Sequence, residues 1–175
     1  MSTSAPAATR ERPADGPAVI VVGVDGSSGS AAALDFALAE GHSRGLGVEL
    51  VTAWLSNPER VGPAYASPVE AGRALARALQ DHALGSAYAR TSARPAVTHV
   101  VVHDHPGRVL AARAEGAVMV VVGSGRQSAA SRKVLGSVGE YCLRHATAPV
   151  VVVPEPHSVD LRPFAPDARL AAAAS

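Results

Sequence analysis

Three stretches of the 175-residue chain carry residue types that chemistry could use. The longest, Val118–Pro154, reads VMVVVGSGRQSAASRKVLGSVGEYCLRHATAPVVVVP. An apolar run ends in Gly123, a glycine- and serine-containing loop follows, and Gly136-Ser137 opens a helical pattern. This is the pattern of an anion site. Backbone N–H groups at a glycine turn and at a helix N-terminus point outward, and the helix dipole favours negative charge there. Ser137 has two readings: it caps the helix with Glu140 at capping-box spacing, or it turns its hydroxyl to a phosphate. Arg126, Arg132 and Lys133 supply movable cations. No GxxxxGK[ST] pattern is present, and the glycines after Val122 lack the third member of a dinucleotide fingerprint.

The second stretch is Asp25-Gly26-Ser27-Ser28-Gly29, directly after a valine-rich run. Its Asp and Ser residues suit a helix N-cap or an Asx turn. The third is His99, His103, Asp104 and His105, spaced HxxxHDH. Alternation along an extended segment puts the three histidines on one face, an arrangement that can hold Zn²⁺. If the strand ends near Val102, the last two fall in a loop instead, and no metal is assigned. His42, His82, His145 and His157 are scattered and read as surface residues.

Catalysis finds little support. Ser27 and Ser28 have no base placed by sequence, no GxSxG elbow occurs, and no paired carboxylates stand out. Cys142 lies inside a helical pattern next to Leu143 and reads as a buried, inert thiol. The expectation is a protein that is not an enzyme.

An alternation of strands and helices must position these stretches. Val19–Val24, Val48–Trp54, Val97–Val102, Val118–Val122 and Val150–Val153 are short apolar runs, the signature of strands buried on both faces. Between them Ser30–Arg44 carries Leu34, Ala37, Leu38 and Gly41 at helical spacing before Gly45 and Gly47 stop it. Val69–Arg90 is expected to bury Leu75, Leu79, His82/Ala83 and Ala87; Pro106–Glu115 and Ser137–His145 complete the helices. Leu55–Pro68, with three prolines, reads as a long loop of functional interest. The pattern predicts an α/β fold: a doubly wound five-stranded parallel sheet in the order 3-2-1-4-5, helices on both faces. Ligands then bind where the strand order reverses, at the turns after strands one and four.

Composition narrows the class. Hydrophobic residues at 47% and charged residues at 18% suit one globular domain. No apolar run approaches the roughly 18 residues of a membrane span. A net charge of +1 and 3% aromatics leave neither the field nor the stacking platforms for nucleic acid. A single cysteine excludes an internal disulfide. Residues 1–17 contain no apolar signal region, so a cytoplasmic domain over 18–154 is expected, with tails at 1–17 and 155–175 too poor in apolar residues to order.

Four blocks carry a family resemblance: VIVVGVDGSSGSAAALDFAL at 19–38, VELVTAW at 48–54, VVVGSGR at 120–126 and VLGSVGEYCLRHATAPVVVVP at 134–154. With them the chain resembles the universal stress proteins from about Ala18 to Pro154. The resemblance implies the same five-stranded fold and, for many members, ATP bound through G-x-x-G-x9-G-S/T. On this chain the first glycine is Gly123 and the closing pair Gly136-Ser137, followed by Val138, at matching spacing. Two positions depart: Arg126 stands where the second glycine falls, and Gly139 where Ser or Thr is usual. A glycine lets backbone approach phosphates closely, whereas Arg126 brings bulk or a guanidinium contact. Asp25 matches the family's acidic residue near ribose and phosphates, Gly23 a close backbone approach, and Ala53 a backbone contact to adenine; packing alone also accounts for Ala53. The resemblance implies an ATP-binding homodimer in stress response, with or without Mg²⁺, paired through Val150–Val153. Two alternatives stay open: a member that has lost ATP and works by protein contacts, and an ATP-cleaving enzyme of the adenine nucleotide alpha hydrolase-like group.

Overall fold

The computed structural model describes residues 18–55, 68–124 and 135–155. The proposed tails apart from Glu155, most of the Leu55–Pro68 loop, and residues 125–134 with Arg126, Arg132 and Lys133 lie outside them. Strands and helices alternate as β1 (Val19–Gly23), α1 (Ser28–Arg44), β2 (Gly47–Trp54), α2 (Pro68–Arg90), β3 (Val97–His103), α3 (Pro106–Arg113), β4 (Met119–Gly123), α4 (Ser137–His145) and β5 (Val150–Val153). The strands are parallel in the order β3-β2-β1-β4-β5. The chain winds outward from β1 through β2 to β3, then returns to lay β4 against the other side of β1. The order reverses between β1 and β4, and their C-terminal ends form the crevice.

Local chemistry explains the elements. Valine runs make β1 and β4 buried throughout their middles. The hydroxyl oxygen of Ser27 accepts from the N–H of Ser30 and caps α1; Gly45, at φ 65°, ends it in the left-handed conformation. Ile20, Val22, Leu34, Leu38, Leu50 and Val121 pack on the face covered by α1 and α2. Val21, Val51, Leu110, Val120, Val122 and Cys142 fill the opposite face beneath α3 and α4.

The buried stripe of α2 is rotated from the expected one. Ala71, Ala76, Gln80 and Ala87 are buried, with Leu79 and Ala83 partly so, while Leu75 is 64% exposed and His82 is exposed. Small side chains let α2 lie close on β2 and β3, and Gln80 satisfies its amide on backbone carbonyls there. Leucine hydrophobicity lost to that fit.

Each valine of β5 is half-buried: Val151 and Val153 join one core, Val150 and Val152 the other. Opposite, Glu49 of β2 is only 4% exposed and is gripped by Arg113 at the end of α3, Nε to Oε1 at 2.7 Å with a second contact to Oε2. The carboxylate raises the affinity of that guanidinium for its proton, against burial.

Cys142 is fully buried, and burial pushes its thiol up to about 11. A neutral thiol under a packed helix is a poor nucleophile. A thiol reagent at pH 8 should leave native protein unmodified over hours and modify it fully in denaturant. Prompt modification of native protein would overturn the buried assignment.

Candidate nucleotide site

The turn after β1 is built from hydrogen bonds. The N–H of Val24 donates to the Val51 carbonyl at 2.9 Å, carrying the β1–β2 ladder one residue past Gly23. Asp25 Oδ1 then accepts from the Ser27 N–H at 2.9 Å and from the Ser27 hydroxyl at 2.6 Å, an Asx turn across Gly26 at φ 82°. Of the two helix-start roles open to Asp25, the Asx turn is the one adopted; Ser27 is the cap. Burial raises the Asp25 pKa, but hydrogen bonds from Ser27 and Ser30 outweigh it and hold the carboxyl below its ordinary value. Asp25 is thus an anion at neutral pH, an acceptor suited to hydroxyls or a cation.

Gly123 faces it across the switch point. A Cβ on Gly123 would lie 2.2 Å from the carbonyl carbon of Gly29, and one on Gly29 would lie 2.6 Å from Ser124 O. Both glycines therefore let the first turn of α1 cross the end of β4 backbone to backbone. Buried Ser124 donates its N–H to Val153 O at 2.7 Å and accepts from Glu155 N at 3.0 Å. The Ser28 hydroxyl donates to the Glu155 carboxylate.

Helix α4 completes the rim. Its N-cap is Gly136, without a side-chain cap, and Ser137 is the first helical residue. The expected capping box is therefore not formed: Ser137 sits one position too late, which leaves its exposed hydroxyl and the first-turn N–H groups of α4 facing outward. A Cβ on Gly139 would lie 2.5 Å from Leu135 Cδ1, a contact that a shift of that side chain's tip relieves.

These parts enclose a cleft of about 280 Å³. Gly23, Asp25, Ala53, Gly123, Gly136, Ser137 and Val138 all line it. Of the site residues expected from sequence, Arg126 lies outside the described residues. Sequence reading missed Val51, Pro106, Leu110, Val122 and Ser124, which also line it. Leu110 sits over Gly23, whose Cβ would come within 3.1 Å of Leu110 Cδ1; room for that side chain is a packing reason for the glycine. Pro106 was legible as the start of α3, but not as part of the cleft. The resulting cleft has an apolar wall, a carboxylate at one end and a helix N-terminus at the other.

The histidines do not come together. His99 turns to α2, its Nδ1 3.0 Å from Gln80 Oε1, and burial followed by the charge of Arg77 lowers its pKa, with Asp81 opposing. β3 runs one residue further than expected, so His103 belongs to the strand, its ring 5.6 Å from that of Trp54; His105 is the N-cap residue of α3. Among the described residues no three His, Cys, Asp or Glu side chains group as metal ligands. No helix among them is long and apolar enough to cross a membrane.

Comparison with known proteins agrees with this architecture. The model of the universal stress protein family matches residues 18–154. A universal stress protein of Mycobacterium tuberculosis is 35% identical over 138 residues, covering 79% of this chain and 46% of its own. The chain spans about half the length of the curated relatives it matches. A crystal structure from the same family in Burkholderia pseudomallei is 30% identical, with TM-score 0.54 over 78% of this chain and 96% of its own. A universal stress protein crystallised in complex with cAMP has the same fold at 24% identity, TM-score 0.61, over 80% of this chain and 98% of its own. By sequence and by fold, this chain belongs to the universal stress protein family.

Proposed function

We propose that the cleft binds an adenine nucleotide, ATP by the motif's implication, and that the protein acts in the cytoplasm as a regulatory homodimer rather than an enzyme. The observation that carries this reading is the convergence of four separate segments, at Gly23–Asp25, Ala53, Gly123 and Gly136–Val138, on one cleft. A purine suits the wall of Val51, Ala53 and Leu110. Asp25 suits a ribose hydroxyl, and the uncapped start of α4 suits phosphate oxygens, where N–H groups and dipole act together. Mg²⁺, if it accompanies the nucleotide, would draw on the Asp25 carboxylate and on phosphate. The cAMP bound by a related universal stress protein supports the same ligand class. The position of β5 at the end of the sheet, flanked by Pro149 and Pro154, favours a closed two-fold pair over a fibre.

Native mass spectrometry of the purified chain, followed by calorimetric titration with ATP, AMP and cAMP with and without Mg²⁺, tests the ligand and the pairing. The expected result is a mass twice the chain's and a dissociation constant of micromolar or weaker, about 8 kcal/mol or less. Arg126→Gly, titrated alongside, should bind more tightly if bulk at that position is what limits the site. No heat and no thermal shift at millimolar ligand would favour the alternative of a member that works by protein contacts alone.

A further inference from the structure

Behind the cleft, on the opposite face of the sheet, lies a buried polar chain that ends on the carbonyl of the cleft residue Val24. Gln80 of α2 is fully buried. Its Nε2 donates to the carbonyl oxygens of Leu50 at 3.0 Å and Val100 at 2.9 Å, and lies 3.1 Å from Thr52 Oγ1. Carbonyl oxygens only accept, so the NH₂ end of the amide must face them and Oε1 must face His99. Thr52, itself buried, passes the chain forward: its hydroxyl donates to Val24 O at 2.7 Å. Val24 is the residue before Asp25, and its N–H is already held by Val51. Both backbone groups of Val24 are thus tied to β2, and Asp25 leaves from a fixed point.

We propose that Thr52 and Gln80 are positioning residues for the nucleotide cleft, holding the β1–α1 turn and its Asp25 in place from behind the sheet through the Thr52 hydroxyl and the Val24 carbonyl. Neither side chain lines the cleft. A hydroxyl spent on a backbone carbonyl in a strand that could carry valine there is otherwise an expensive choice, because a buried hydroxyl gains only when its partner is in place. The proposal rests on the nucleotide reading for its consequence in binding, but the restraint on the turn stands independently of any ligand.

Thr52→Val keeps shape and removes the donor; Thr52→Ser keeps the donor. AMP is the probe. Thr52→Val should weaken its binding about tenfold, while Thr52→Ser stays within about twofold of the parent. Amide exchange on ligand-free protein supplies the second readout: the Val24–Ser28 amides should exchange faster in Thr52→Val and not in Thr52→Ser, with the Ser137–Glu140 amides unchanged in both. Should the parent bind none of AMP, ATP and cAMP, the nucleotide reading falls, and faster exchange in the turn still upholds the restraint. Parent-like exchange and binding in Thr52→Val would overturn the proposal. The amide orientation has its own signature. His99 must carry a proton on Nδ1, so nitrogen NMR of neutral His99 should show the Nδ1–H tautomer; an Nε2–H tautomer would overturn the chain from Gln80 onward.

Discussion

Gly123→Ala should destabilise the protein by roughly 3 kcal/mol or more, because there is no side chain at the contact to give way. The added Cβ would stand 2.2 Å from the carbonyl carbon of Gly29, 2.4 Å from its oxygen and 2.7 Å from Ser30 N. All three are backbone atoms in the first turn of α1, a turn already pinned by the Ser27 cap and the Asp25 side chain. Relief requires α1 to lift from the end of β4, which opens the switch point and takes Asp25 with it. Thermal unfolding should show a midpoint lower by roughly 10 °C at this chain length, together with loss of nucleotide binding. Gly85→Ala is the matched control: it lies within α2 with nothing within 4 Å of its would-be Cβ, and should stabilise by up to about 1 kcal/mol. If Gly123→Ala unfolds at the parent's temperature, the backbone contact between α1 and β4 is not as close as described.

Arg113→Ala should be comparably damaging, at about 3–5 kcal/mol, since it strands the Glu49 carboxylate in the sheet. Glu49 pairs in register with Val21 of β1 and Thr98 of β3 and is only 4% exposed, so its carboxylate is held away from water. The guanidinium also ties the last turn of α3 to β2, and α3 contributes Pro106 and Leu110 to the cleft. The informative comparison is the pair Glu49→Leu with Arg113→Met. Removing both charges replaces a costly buried ion pair by packing and should recover most of the loss. Chemical denaturation of the two single variants and the double variant measures the coupling. Additive losses would mean that the two side chains do not depend on each other.

Several features that matter most to the cleft were not legible locally. Glu49 stands out as a charge inside an apolar run, but its partner is 64 residues away along the chain. Leu75 looked like a core residue by type and spacing, yet α2 presents alanines and Gln80 to the sheet. Periodicity identifies a helix and a stripe; which of two adjacent stripes is buried depends on how closely the helix can approach its neighbours. Ser137 satisfied the capping-box pattern, but the helix began one residue early and Gly136 took the cap. The pattern supplies the residue types of a cap but not which residue's backbone is extended, and here that is Gly136 at φ −80° and ψ 166°.

What the sequence determined by itself was local or chiral. Valine runs bounded by turns specify buried parallel strands, Gly45 stops α1 because only glycine readily takes φ 65°, and the right-handed crossover leaves 3-2-1-4-5 as the natural winding. The crevice between β1 and β4 follows from that order, so the turns carrying Asp25 and Gly123 were legible as one site, while Gly23, Ala53 and Val138 entered through the family resemblance. Only the tertiary structure decided what each of them is for. Gly123 is small to admit the backbone of Gly29, and Thr52 and Gln80 act on the cleft from a face that does not touch it. Such roles depend on distances of a few tenths of an ångström between segments remote in the chain, set by close packing, and residue type and spacing carry no record of them.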